Sequence, residues 1–93
     1  NIQIQTINVV DTTDPTFTVP AGTIIECDQD ATDLNLTGDV TDEADNCSNG
    51  LEATYSDAIT NGVCANEYTI TRTWTLVDEC GNENIQTQTI NVV

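Results

Sequence analysis

The stretch EYTITRTWTLV, residues 67–77, decides the fold. Tyr68, Ile70, Trp74 and Leu76 fall on one side of an extended chain, and Thr69, Thr71, Thr73 and Thr75 on the other. A period of two marks a strand with one buried face. Working outward, Leu34, Leu36 and Val40 alternate with Asn35, Thr37 and Asp39, and Leu51, Ala53 and Tyr55 form another apolar face. Phe17 with Val19, and Ile25 with Cys27, supply two shorter runs, and Ile90 with Val92 a last one. The polar segments DTTDP, PAG, DQDATD, DEADNCSNG, TNG and DECGNEN separate these runs as turns. Helix signals are absent. The pattern predicts an all-β, immunoglobulin-like antiparallel β-sandwich, with strands at 16–19, 23–27, 34–41, 51–56, 67–77 and 85–92 and a short piece within 57–63. The expected core is Trp74, Tyr68, Ile70, Leu76, Leu36, Ile25 and Phe17. Arg72, the only basic residue, shares the apolar face of its strand. A buried guanidinium is costly unless paired, and Asp57, which shares strand parity with Tyr55, is the expected partner.

The first ten residues, NIQIQTINVV, return at 84–93 as NIQTQTINVV, with Ile4 replaced by Thr87. Asn1 aligns with Asn84 and Val10 with Val93, a period of 83 residues. Self-similarity at a fixed period is a repeat signal, and a period this long is a whole small domain. Residues 1–10 therefore read as the last strand of a preceding repeat or a linker, and 11–93 as a single β-sandwich repeat of a tandem array. Neighbouring repeats of the same chain are the expected partners. Reach, spacing and adhesion are the expected work.

The chain has 93 residues, 16 of them acidic, and a formal net charge of −15. Nothing in it would neutralise phosphates, so nucleic acid and anionic membrane surfaces are poor partners. No stretch approaches the length of a membrane span. With no His and no Lys, and only Ser48 and Ser56 as serines, a nucleophile has no base to activate it, and no enzymatic activity is expected. The missing Lys also removes any Lys–Asn isopeptide crosslink. Four cysteines without C-x-x-C spacing or His partners argue against zinc and for two disulfides in an oxidising, extracytoplasmic setting. Three connectivities are possible; the strand order favours Cys27 with Cys80 and Cys47 with Cys64.

Crowded carboxylates repel, and a divalent cation turns that repulsion into ligation. Calcium wants six to eight oxygens, which acidic loops supply. Asp11 and Asp14 in the linker, Asp28 or Asp30 after the second strand, and Asp78 with Asn82 in DECGN are expected to meet at one end, at the joint between units. Asp42, Asp45 and Asn46 form a second donor cluster, expected at the far end. The competing reading is a set of solvated turns, since Asp and Asn favour turns for local reasons.

The runs YTITRTWTLVDECGN (68–82), QTQTINVV (86–93) and INVVDTTDPTF (7–17), with IECD (25–28) and ADNC (44–47), resemble the tandem repeats of Bacteroidota surface adhesins. The closest type is the SprB-type gliding-motility adhesin, related to HYR and bacterial Ig-like modules. The resemblance implies an Ig-like repeat in a very large secreted protein displayed at the bacterial cell surface, exported by the type IX system and serving attachment or gliding. Other readings stay open: a module that binds carbohydrate or a cell-surface ligand, an ice- or mineral-binding face built on the threonine row, or a unit assembled by strand donation from residues 1–10.

Overall fold

The computed structural model describes residues 1–63 and 66–93. Among these residues four strands, β1 (Thr23–Ile25), β2 (Thr54–Asn61), β3 (Tyr68–Val77) and β4 (Glu83–Val92), make one sheet in the order β1-β4-β3-β2. β2, β3 and β4 form an antiparallel meander, and β1 lies parallel to β4 with Thr23 opposite Ile90 and Ile25 opposite Val92. The all-β expectation holds, and the sheet is mixed. The expected threonine row of β3 faces away from the core. It is flanked by Thr54, Ser56 and Thr60 of β2 and by Thr87 and Thr89 of β4.

The segment 11–53 covers the inner face of the sheet. It carries only one isolated bridge, between Thr16 and Ala44, and a single helical turn, α1 (Leu34–Thr37). Side chains of β4 do much of the work that a second ladder would do. The Asn84 Nδ2 donates to the Pro15 carbonyl at 3.0 Å and the Gln86 Nε2 to that of Phe17 at 3.2 Å. The Gln88 Nε2 donates to Ala21 O at 3.1 Å and Thr37 O at 2.6 Å, while its Oε1 accepts from Trp74 Nε1 at 3.0 Å. The first three inward residues of β4 thus offer an amide to the covering segment, and buried backbone carbonyls need such partners.

Two apolar clusters fill the space between. Phe17, Val40, Trp74 and Leu76 form one, with Val19, Leu34, Leu51 and Ala53 against it. Ile25, Ile70, Ile90 and Val92 form the other, with Ala31, Leu36 and Tyr68. The expected core is recovered, with Tyr68 and Leu36 only half-buried.

Arg72 sits fully buried between the clusters. Its Nε and Nη2 donate to Asp57 Oδ1 and Oδ2 at 2.8 and 2.9 Å, as expected. Nη1 donates to Thr37 Oγ1 at 3.0 Å and Nη2 to Ala31 O at 2.9 Å, and the guanidinium lies 4.3 Å over the Tyr55 ring. These bonds tie the helical turn to the sheet. The Asp57 hydrogen bonds raise the Arg72 pKa above its ordinary value, outweighing burial.

Three expectations need correction. Residues 34–41 do not form a strand: Asp33 caps a helical turn by accepting from Asn35 N at 3.0 Å, and Gly38 closes it at φ 99°, donating to Leu34 O at 2.8 Å. Leu34 then packs in one cluster and Leu36 in the other. Residues 16–19 contribute one bridge, because β4 holds them by amide side chains instead. The expected strand at 51–56 and the short piece after it are one strand, β2, which is an exposed edge.

Candidate metal centre

Chain segment 11–14 enters beside the β3–β4 turn; this is the proximal end of the unit. The turn is built on Asp78. Its N–H donates to Asn82 O at 3.0 Å, and Gly81, at φ 88°, takes the left-handed conformation that closes it. Asp78 Oδ1 accepts from the N–H groups of Cys80 and Asn82, both at 2.9 Å, and Oδ2 accepts from Asn82 Nδ2 at 2.8 Å. The same amide donates to Asp11 O at 3.0 Å, which docks the incoming chain on the turn. Asp11 Oδ1 accepts from Thr13 N at 3.0 Å.

The third member comes from the loop before β2. Asp45 Oδ2 accepts from the N–H groups of Cys47 and Ser48 at 3.1 and 3.0 Å, and Ser48 Oγ accepts from Glu79 N at 3.2 Å. Asp11, Asp45 and Asp78 each offer a carboxylate oxygen, and these lie within 4.8 Å of one another. Among the described residues, Asp11 Oδ2 and Asp45 Oδ1 are buried without a hydrogen-bond partner. A buried polar atom left unpaired is costly, and a pair of anionic ones more so. A cation among the three carboxylates would satisfy both.

Electrostatics point the same way. Burial pushes the Asp11 carboxyl above its ordinary pKa, against the Thr13 N–H, and the carboxylates of Asp78 and Asp45 add to the rise. Burial also pushes Asp78 upward, but the hydrogen bonds from Asn82 and Cys80, with the adjoining Asp11 carboxyl, hold it below the ordinary value. Without a cation, Asp11 is the member of the three whose shift favours the protonated form. The Cys47 thiol is pushed up by burial and by Asp11, Asp45, Cys80 and Asp78.

The expected ligands divide as follows. Asp11 and Asp78 meet as expected. Asn82 braces both through its amide nitrogen and acts as scaffold. Asp45, expected at the far end, joins this site, while its neighbours go elsewhere. Asp42 accepts from Thr18 N and Oγ1 at 2.9 and 2.5 Å, which holds it below the usual carboxylate range. Glu43 accepts from Ala53 N at 3.1 Å, and Asn46 is exposed. Asp14 is exposed ahead of the buried Pro15.

Asp28 and Asp30 are separated from the site. Because β1 runs parallel to β4, the loop after it lies at the distal end, where Cys27 N donates to Val93 O at 2.7 Å. There Asp30 accepts from Thr32 Oγ1 and N at 2.6 and 2.9 Å and is held low by them. The same geometry rules out a Cys27–Cys80 bond. The two cysteines flank opposite ends of the ten-residue β4, a run of about 30 Å, whereas a disulfide needs Cα atoms about 4.4–6.8 Å apart. Cys27, Cys47 and Cys80 are exposed thiols in the structure, and the expected partner Cys64 lies outside the described residues. The signal that went unread was the twin spacing Asp45-x-Cys47 and Asp78-x-Cys80, which builds two matching turns around the site.

A family model described as "HYR-like domain with 4 cysteines" matches residues 7–92. No curated protein matches the chain.

Proposed function

From a chain that belongs to the HYR-like domains with four cysteines, a family of Ig-like extracellular repeats, we propose a structural unit of a bacterial surface adhesin of the SprB type, one bead of a secreted stalk. Calcium at the joints stiffens the stalk, and disulfides brace each bead in an oxidising setting. The observation that carries this reading is the position of the carboxylate triad. Asp11 directly follows a segment that repeats β4, so the site sits where a preceding unit would hand over to this one.

Two further features support it. The chain enters at the proximal end and leaves at the distal end, so successive units extend lengthwise. The aromatic side chains are also committed: Trp74 and Phe17 are buried, Tyr68 is half-buried, and Tyr55 carries the Arg72 guanidinium on its face. Little is left for the stacking platform a sugar site uses.

Asp11, Asp45 and Asp78 would hold the ion, with the remaining positions of its shell filled by other oxygens, and Asn82 would orient two of them. Extracellular modules bind calcium at about 10⁻⁴–10⁻³ M. The test is a two-unit chain at matched ionic strength, with EDTA or millimolar calcium. Calcium is expected to raise the melting midpoint and lengthen the particle in small-angle scattering, and magnesium to do less. Identical midpoints and lengths in both conditions would leave the acidic turns as solvated loops only.

A further inference from the structure

We infer that Cys47 and Cys80 form a disulfide that fastens the Asp45 turn to the β3–β4 turn. This rests on the extracellular reading above. Each cysteine occupies the same place in a matching turn: its N–H donates to the aspartate two residues earlier, Cys47 to Asp45 at 3.1 Å and Cys80 to Asp78 at 2.9 Å. Those two aspartates reach to within 4.8 Å of each other. On the flanks, Ser48 Oγ accepts from Glu79 N at 3.2 Å, so the residue after one cysteine touches the residue before the other. Both thiols are exposed to an oxidant. The turns meet on both sides of Cys47 and immediately ahead of Cys80, which brings the two cysteines to one end of the unit, whereas Cys27 lies a full strand length away.

Closure is ordinary thiol–disulfide exchange with a glutathione-type disulfide. One cysteine attacks it and releases one thiol. The other cysteine then attacks the mixed disulfide and releases the second. The two cysteine protons end on the released thiols, and the oxidant takes up two electrons. The bond joins the separate stretches of chain that carry Asp45 and Asp78, and its main effect on stability comes from restricting the unfolded chain.

The test uses the full chain refolded in a glutathione redox buffer, alkylated and digested without reduction. A peptide pair joining Cys47 to Cys80 is expected. In the oxidised state Cys47→Ser, Cys80→Ser and the double variant should share one drop in melting midpoint, roughly 10 °C or more, that vanishes in reductant. Linkage of Cys47 or Cys80 to Cys27 or Cys64 overturns the pairing and leaves the oxidised, extracellular reading standing. Four alkylated thiols under these conditions overturn both. A double variant that loses clearly more than either single one shows that the two cysteines act separately, and also overturns the pairing.

Discussion

Residues 1–10 and 84–93 are nearly the same ten residues in two opposite circumstances. Ile90 is 0% exposed and Val92 1%, while their counterparts Ile7 and Val9 are 73% and 90% exposed. The inward side chains of β4, Asn84, Gln86, Gln88, Ile90 and Val92, all recur as Asn1, Gln3, Gln5, Ile7 and Val9, and the one difference, Thr87 for Ile4, falls on the outward face. The sequence makes both segments competent to be the last strand. Only the one with β3 and β1 beside it becomes one, because a strand draws its stability from neighbours and buried surface.

The comparison breaks most sharply at the isoleucines. Ile90→Ala should cost about 2–5 kcal/mol in denaturant unfolding, and Ile7→Ala less than about 0.5 kcal/mol. Attaching a second unit upstream should erase the difference, so that Ile7→Ala becomes as costly as Ile90→Ala. A substitution at Ile7 that stays silent in the two-unit chain would falsify the shared-strand reading. Next come the glutamines. Gln88→Leu strands Trp74 Nε1 and two carbonyls and should cost about 1–3 kcal/mol, while Gln5→Leu in the single unit should be silent by the same measurement.

Calcium sharpens the contrast at the root of the exposed segment. At ten times its dissociation constant it should add about 1.4 kcal/mol to stability. Amide exchange should slow around Asp11 and leave residues 1–7 as fast as before. Asp45→Asn should weaken that effect, seen by calorimetric titration.

The smallest effect is that of pH. Proton and cation compete for Asp11, so calcium affinity should fall as pH drops through the raised Asp11 pKa. In the metal-free protein the signs oppose. The raised Asp11 pKa gives stability that is present at low pH and lost as pH rises through its folded value. The lowered Asp78 pKa gives stability that is present above the ordinary carboxylate range and lost as pH falls. Melting scans from acid to neutral pH, with and without Asp11→Asn, separate the two.

β3 was legible because its alternation is long and strict, and β4 because it is repeated. The Arg72–Asp57 pair followed from the cost of a lone buried charge. The covering segment was not legible. Its backbone is held by Asn84, Gln86 and Gln88, and nothing in 15–21 announces that its carbonyls will be bound by side chains. Leu34-x-Leu36 has the spacing of a strand, but the Asp33 cap and Gly38 stop outweigh it over four residues. Half of the candidate site was readable, since Asp11 and Asp78 flank obvious turns. Asp45 was misplaced, and Asp28 and Asp30 were drawn in, because the direction of β1 is a matter of pairing and no local pattern encodes it.

That direction has a mechanical meaning. With β1 parallel to β4, a pull applied between Asp11 and Val93 drags the two strands past each other along their length. The bonds of the Thr23–Ile25 register, with Cys27 N to Val93 O and Val93 N to Ile25 O beyond it, are then loaded sideways and together, and cannot be peeled open one at a time. Such a shear clamp yields by simultaneous rupture, at a rate set by the unfolding barrier and not by equilibrium stability. The shortest strand of the sheet is therefore a latch against tension along the chain, loaded once the docked segment 11–21 has been drawn away.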